Sequence, residues 1–424
     1  MWEGKGNALP SPFFPRSLQT TLLLSTVSPQ CRMEERKQDM RNYLIKRLAQ
    51  NVLTFFLFLT IVYFVMDAQP GDFADIYLSN PRLTAEQRQV LRASMGLDQP
   101  VYVRYVLWLR DFFQGDLGIS FSNYPRPVLD VIAERAPRTL TLFLTSTLVS
   151  FYLGFSAGKV LAWRRGGLLE YVATVGGVTL YTVFTPWFGL MMIWIFAYSL
   201  RLLPIGKFVD PVLWQNAPVD ANYVFVRMLL TALISSVLLF IWLLATQKLD
   251  PITRRRTRWI GYVVLLAGII GYWLFFTSGA APYALDILRH LILPVMTLAL
   301  ISFAGTMLLT RNSMLETLRE DYILTAHAKG LPEKVVRDKH AARNAMLPVV
   351  TSLVFSLAFA LDGGVITETI FSWPGMGLTL LNAAQLEDIP MAIGGLVFTG
   401  ALALTAHLAA DVLYAYLDPR IRYS

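Results

Sequence analysis

DYILTAHAKGLPEKVVRDKHAARNAMLP, Asp321 to Pro348, is a charged, helix-forming block set between two long apolar runs. Leu324 to Ala328 is helix-compatible. Gly330 is a natural C-terminal stop because it tolerates left-handed backbone, and Pro332 reinforces the break. The pattern predicts a short helix lying across a membrane face, then a turn and a second polar helix through Arg343. Small Ala326 and Ala328 would let a partner backbone approach closely. Taken alone, the block also reads as an ordinary solvated loop between spans.

The runs around it decide the class. Apolar residues make up 55% of the 424-residue chain and charged residues 16%, with a mean hydropathy of +0.49. Several runs approach or exceed the roughly 20 apolar residues that cross a ~30 Å hydrocarbon core. A soluble domain is excluded. The net charge of +8 reports topology more simply than nucleic acid, since basic groups flank the spans. A lone Cys31 and four His residues without an HExxH pattern leave no disulfide framework or metal cluster, and no cofactor is expected.

Eight spans are expected, near Leu48–Met66, Thr139–Trp163, Tyr171–Leu200, Tyr223–Thr246, Trp259–Phe276, Ile287–Thr310, Leu347–Thr369 and Met391–Leu417. With a cytoplasmic N-terminus, the inner segments hold Arg164 and Arg165, the turn with Lys248, Arg254, Arg255, Arg256 and Arg258, the block above, and Arg420 with Arg422. Short outer loops hold only Arg201 and Lys207, and 370–390 has no Lys or Arg. This bias places both termini in the cytoplasm. An odd count would put the Arg254–Arg258 cluster outside.

The chain divides accordingly. Residues 1–32 lack a convincing signal-peptide core and are expected to be disordered. Met33 opens a charged run into the first span, leaving Met1 and Met33 as alternative starts. Residues 33–66 carry that first span. An extracytoplasmic helical loop domain covers 67–136: Thr84 and Gln87 form a possible capping box, Met95-Gly96 would end that helix, and Val101–Phe113 reads as an amphipathic helix. Spans two and three occupy 137–206, 207–286 holds two more spans, and 287–424 completes the bundle, with a charged cytoplasmic segment at 312–346. The loop domain either caps the spans or helps to dock a partner.

Membrane-embedded ionisable groups need a reason, because charge is costly in hydrocarbon. Asp362, flanked by Gly363 and Gly364, is a candidate for an aqueous translocation path; a hydrogen bond between helices is the alternative. Glu368 is a second path candidate, although, like Asp411, it lies near a span end within reach of headgroups or water. Lys159 is expected to snorkel to the inner interface. Pro186 and Pro294 fall in or near spans where a kink could open a cavity.

Three regions together resemble the dipeptide/oligopeptide branch of binding-protein-dependent ABC importer permeases. The first is MGLDQP at Met95–Pro100, Tyr105, Trp108, GDLGIS at Gly115–Ser120, and Pro127–Val128. The second is the Asp321–Pro348 block, which resembles the family's EAA loop. The third is FSWPGMG at Phe371–Gly377, then Asp388, Pro390 and DVLYAYLDPRIRY from Asp411 to Tyr423. The resemblance implies an all-α polytopic membrane protein with a six-span permease core, so that 207–286 is an inserted two-helix hairpin. Its even number of spans preserves the orientation of every downstream span.

The resemblance further implies that Thr325, Ala326, His327, Ala328, Lys329, Gly330 and Leu331 form a coupling helix docked on a cytoplasmic ATPase. Leu324 and His327 stand where basic residues are common in the family. Implied partners are a homologous second permease, ABC ATPase subunits, an extracytoplasmic solute-binding protein and the lipid bilayer, with no nucleic acid. The implied cargo is a peptide, although related systems move nickel complexes or oligosaccharides.

The chain cannot supply the energy itself. GFSAGKV, Gly154–Val160, lacks the spacing and the Ser/Thr of a phosphate loop, so the permease is expected to be non-catalytic. An intramembrane protease using Asp362 and Asp411 lacks a GxGD pattern. An ion-coupled secondary transporter would leave the charged block unexplained and shows no evident internal repeat.

Overall fold

The computed structural model describes residues 29–68, 99–164, 166–277, 279–359 and 364–417, with Thr84 and Glu86 between the first two stretches. The helices are α1 (Pro29–Asp67), α2 (Val101–Phe113), α3 (Val128–Trp163), α4 (Leu168–Thr182) and α5 (Thr185–Met192, continued by a π-helical stretch Ile193–Ser199). They are followed by α6 (Ala221–Ala245), α7 (Pro251–Gly271, continued by Tyr272–Phe276), α8 (Ala281–Thr317) and α9 (Asp321–Ala328). The chain then forms α10 (Glu333–Val335, Val336–Ala341 and Ala342–Phe359 in continuous succession), α11 (Val365–Ile370), α12 (Met376–Gln385) and α13 (Ile389–Leu417).

Among the described residues, six helices are long and apolar enough to cross a membrane: Ile45–Asp67 within α1, α3, α6 extended to Lys248, α7 extended to Phe276, α8, and Ile389–Val412 within α13. Two expected spans take a different form. The run Tyr171–Leu200 is not one rod: α4 and α5 meet at 108°. Val183 and Phe184 are extended, and Pro186 sits in the first turn of α5, where its missing N–H costs nothing. The proline starts a helix rather than kinking one. The run Leu347–Thr369 is also divided, because Val365–Thr369 belong to the separate short helix α11. Asp362 lies outside the described residues. So do residues 1–28 of the segment expected to be disordered, whereas Pro29–Arg32 are helical. Gln87 and Met95-Gly96 are outside as well.

The bundle is organised on α3 and α8. Each exceeds 35 residues, or roughly 50 Å at 1.5 Å per residue, so both project beyond the hydrocarbon. The Gly154/Gly158 pair that fails as a phosphate loop serves packing instead. A Cβ at Gly154 would lie 2.7 Å from the Phe303 carbonyl oxygen, and one at Gly158 would collide with that of Met307. Small residues four apart let two membrane helices touch backbone to backbone. Gly158→Val is therefore expected to lower folded yield severalfold and to reduce the Tm read by fluorescence-detected size exclusion. Gly176→Val, where nothing lies within 4 Å, is the matched control.

The helix expected at Val101–Phe113 forms with those bounds. Tyr105 and Trp108, two residues of the first resemblance region, pack as tilted rings on Tyr63 of α1 with centroids at 5.3 and 5.2 Å, and Arg104 pairs with Asp67 at 3.0 Å. The hairpin of α6 and α7 is anchored at one end, where Val224 and Phe225 join Leu142, Phe208, Ile287 and Trp373. The rest of it exposes apolar side chains such as Leu233, Leu238, Val263 and Leu266, as suits a lipid-facing pair. At its tip Arg254 donates to the Leu249 carbonyl and Arg258 to Thr246 Oγ1. Gly261 leaves room for the Trp242 ring.

Candidate functional site

The coupling candidate forms as α9. Its C-terminus is closed by two reversed hydrogen bonds, Leu331 N to Ala326 O (3.4 Å) and Gly330 N to His327 O (2.9 Å), with Gly330 at φ +69°. This is the Schellman arrangement, in which a left-handed residue satisfies the last carbonyls of a helix. Leu331 then packs beside Ala326, as the motif favours.

Which face of α9 is available differs from expectation. Ile323 and Ala326 are buried against Ala162, Met314, Val336 and Ala345. Ala326 therefore offers no surface to a partner, because it seats α9 on its own bundle. The outward face is Leu324, 71% exposed, with Thr325, His327, Ala328 and Lys329. His327 also stacks on Trp163 at the end of α3.

The second polar helix through Arg343 is not a separate element. Residues from Glu333 onward run through a π-helical stretch into Ala342–Phe359 without a break, so the turn after α9 leads directly into a long apolar helix. Lys159 of α3 reaches Asp338 at 3.2 Å rather than ending free at the interface. The hydrogen bond from Arg337, opposed by some desolvation and reinforced by Lys159, holds the Asp338 carboxyl down to about 2. The Asp338 carboxylate stays charged at any physiological pH, and its stabilisation fades only as pH falls from the ordinary aspartate range toward that value. Phe155, Lys159, Tyr322, Asp338, His340 and Arg343 border a cleft of about 920 Å³ beside α9.

At the other end of α3 lies a polar core that no local pattern announces. Glu368, a translocation-path candidate near a span end within reach of headgroups or water, is fully buried. Its carboxylate accepts from Thr139 Oγ1 (2.7 Å) and Leu378 N (2.9 Å), and Thr139 Oγ1 accepts in turn from Met376 N (2.7 Å). Trp373 donates through Nε1 to the Arg138 carbonyl. A side chain at Gly375 would occupy the space of Glu368 Oε1 and Thr139 Oγ1, and one at Gly377 would approach Val365 N to 2.8 Å. FSWPGMG is thus a turn that wraps a buried carboxylate, and both glycines are required by close approach.

Asp388 is the second buried carboxylate, accepting from Ser120 Oγ (2.6 Å), Ser122 N (2.8 Å) and Ser122 Oγ (2.6 Å). It fastens the GDLGIS loop to the start of α13. Burial alone would raise this carboxyl, but the serine and backbone donors outweigh it and hold it below the usual aspartate range. A depressed native pKa contributes stability at neutral pH that is lost as pH falls through the native value. Ser120→Ala removes one donor to a charged acceptor, about 1.5–3 kcal/mol. The variant should lose Tm at pH 7, and the difference from wild type should shrink toward about pH 3, below the ordinary aspartate value.

Asp411, expected to reach headgroups or water, pairs with Arg47 at 3.4 Å, tying the first and last long helices together. Spacing could not have linked residues this far apart in the chain.

A profile of the family described as "Binding-protein-dependent transport system inner membrane component" matches residues 150–423, and its N-terminal companion matches 40–143. The chain is 30% identical over 384 residues to the dipeptide transport system permease protein DppB of Escherichia coli K12, covering 91% of this chain and 99% of that one. It is 30% identical to the oligopeptide transport system permease protein AppB of Bacillus subtilis, covering 91% and 100%. It is 29% identical to the di/tripeptide transport system permease protein DppB of Pseudomonas aeruginosa, covering 91% and 99%.

Proposed function

The chain belongs to the family of inner membrane components of binding-protein-dependent transport systems, and from that premise we propose that it is a permease subunit of an ATP-driven importer of peptides of the dipeptide/oligopeptide class. The observation that carries this reading is the likeness to peptide permeases along nearly the full length of both chains. The seating of α9 supports it: a short helix with an exposed outward face, joined by the turn at Gly330 to a long apolar helix.

In this reading the chain crosses the membrane eight times with both termini cytoplasmic, α6 and α7 being an inserted lipid-facing hairpin. The segment 67–136 lies outside, where the solute-binding protein docks. Thr325, His327, Ala328, Lys329 and the exposed Leu324 touch the ATPase. Ala326 and Leu331 hold the helix in place, and Gly330 sets its end. The chain is non-catalytic and pairs with a homologous second permease. ATP-driven closure of the ATPase pair moves α9, and α10 transmits that motion to the bundle. Asp362 borders the translocation path, while Glu368 holds its wall together.

The test is purification of the tagged chain in mild detergent, followed by transport in proteoliposomes. ATPase subunits and a solute receptor should copurify, and peptide uptake should require ATP and resist ionophores. A Cys at Leu324 should crosslink to the ATPase, and one at Ala326 should not. Absence of any ATPase, or uptake abolished by ionophores, would sink the reading.

A further inference from the structure

Beside the Asp388 latch the beginnings of α3 and α12 enclose a cavity of about 160 Å³, bordered by Asn123, Arg135, Pro374, Thr379, Asn382 and Leu386. Of the charged groups beside it, only Arg135 reaches its wall. Glu134 is shared by Arg126 at 2.7 Å, Arg138 at 2.9 Å and Arg135 at 3.6 Å, and Asp220 also acts on Arg138. Asp388 offers nothing to these cations, because its oxygens are engaged by Ser120, Ser122 and Met391 N.

Arg135 is the cation left over. Its Nε faces Glu134 Oε1 at 3.6 Å, beyond hydrogen-bond reach, and is buried with no hydrogen-bond partner among the described residues. A buried, unsatisfied donor on a charged group is expensive and normally marks a missing acceptor. The other polar groups of the wall are partly committed. Thr379 donates to the Gly375 carbonyl, and the Asn123 amide nitrogen donates to the Ser120 and Ser122 hydroxyls. Arg135 and the Asn382 amide remain as donors, facing apolar Val131, Pro374, Leu378 and Leu386.

We infer that this cavity is a subsite for the C-terminal carboxylate of the transported peptide, with Arg135 as its anchor and Asn382 as second donor. Resting on the permease reading above, it names the chemistry by which that permease holds its cargo. A guanidinium matches a carboxylate through two parallel hydrogen bonds, and the apolar wall seats the terminal side chain. The volume is below the ~300 Å³ at which whole-ligand pockets begin, so the site takes a terminus and leaves the rest of the peptide in the path. It lies at the opposite end of α3 from the coupling helix, where entering substrate first meets the permease.

The experiment uses the intact permease pair with its ATPases in nanodiscs, with the receptor omitted so that its own specificity does not contribute. Saturation-transfer NMR compares dialanine with dialanine amide. The wild type should bind dialanine at least about tenfold more tightly than the amide, R135Q should erase that preference, and R135K should restore part of it. Equal binding of the two peptides by the wild type, or an unchanged preference in R135Q, overturns the subsite. So does a loss of receptor-stimulated ATP hydrolysis in R135Q with peptide-free receptor, which would assign Arg135 to an acidic side chain of the receptor. Wild-type proteoliposomes that take up no peptide even with receptor would overturn the permease reading and, with it, the inference.

Discussion

Gly375→Val should yield almost no folded protein in the membrane, with Gly375→Ala intermediate. The backbone at Gly375 lies directly against Glu368 Oε1 and Thr139 Oγ1, so any Cβ pushes apart the group that satisfies a buried carboxylate. Overpacking a tight site costs about 1–3 kcal/mol. Freeing a buried acceptor and the Met376 N–H adds about 1–3 kcal/mol for each unsatisfied group. The sum approaches the whole net stability of many domains. The readout is the monodisperse fraction and Tm in detergent. Glu368→Gln is the informative partner: it keeps the shape but turns one of the two oxygens that accept from Thr139 Oγ1 and Leu378 N into a donor, and should still be milder than Gly375→Val. A Gly375→Val protein as stable as wild type would show that the turn does not wrap Glu368 as described.

Gly330→Val should leave membrane insertion intact and lower ATP-dependent uptake by an order of magnitude. No atom lies within 4 Å of a Cβ built at this glycine, so bulk meets no obstacle inside the chain. The cost is conformational: φ +69° is left-handed backbone, disfavoured for a side-chain-bearing residue by about 1–2 kcal/mol. A β-branched residue therefore unwinds the closing turn, and Leu331 leaves its contact beside Ala326. Asn tolerates the left-handed region, so Gly330→Asn should retain most of the uptake. If Val and Asn behave alike, the effect comes from bulk against the ATPase rather than from helix termination. If neither reduces uptake, α9 does not couple.

Features set by residues close together in the chain were legible in the sequence. Gly330 and Pro332 stop α9 because the glycine readily takes φ > 0 and the proline comes just after the break. The amphipathic pattern from Val101 to Phe113 is found as a helix with those limits. Broken runs were not legible. Hydropathy sums a window regardless of direction, so Tyr171–Leu200 scores as one span although Pro186 opens a second helix at 108° to the first. Val365–Thr369 likewise continue an apolar composition without continuing the helix. Ala326 is ambiguous in the sequence because small size suits two ends equally, closeness to a partner or to the chain's own bundle, and only the packing of α9 shows it buried in the bundle.

The sequence alone therefore determined the membrane class, the long apolar helices and the place where a charged helix stops, since these depend on composition, length and backbone freedom within a few residues. The pairing of distant side chains was decided only by tertiary structure: Glu368 with Thr139, Asp388 with Ser120 and Ser122, and Lys159 with Asp338. Burial makes a polar group depend on whichever partner the packing brings within hydrogen-bond reach, and no local pattern records partners up to 268 positions away.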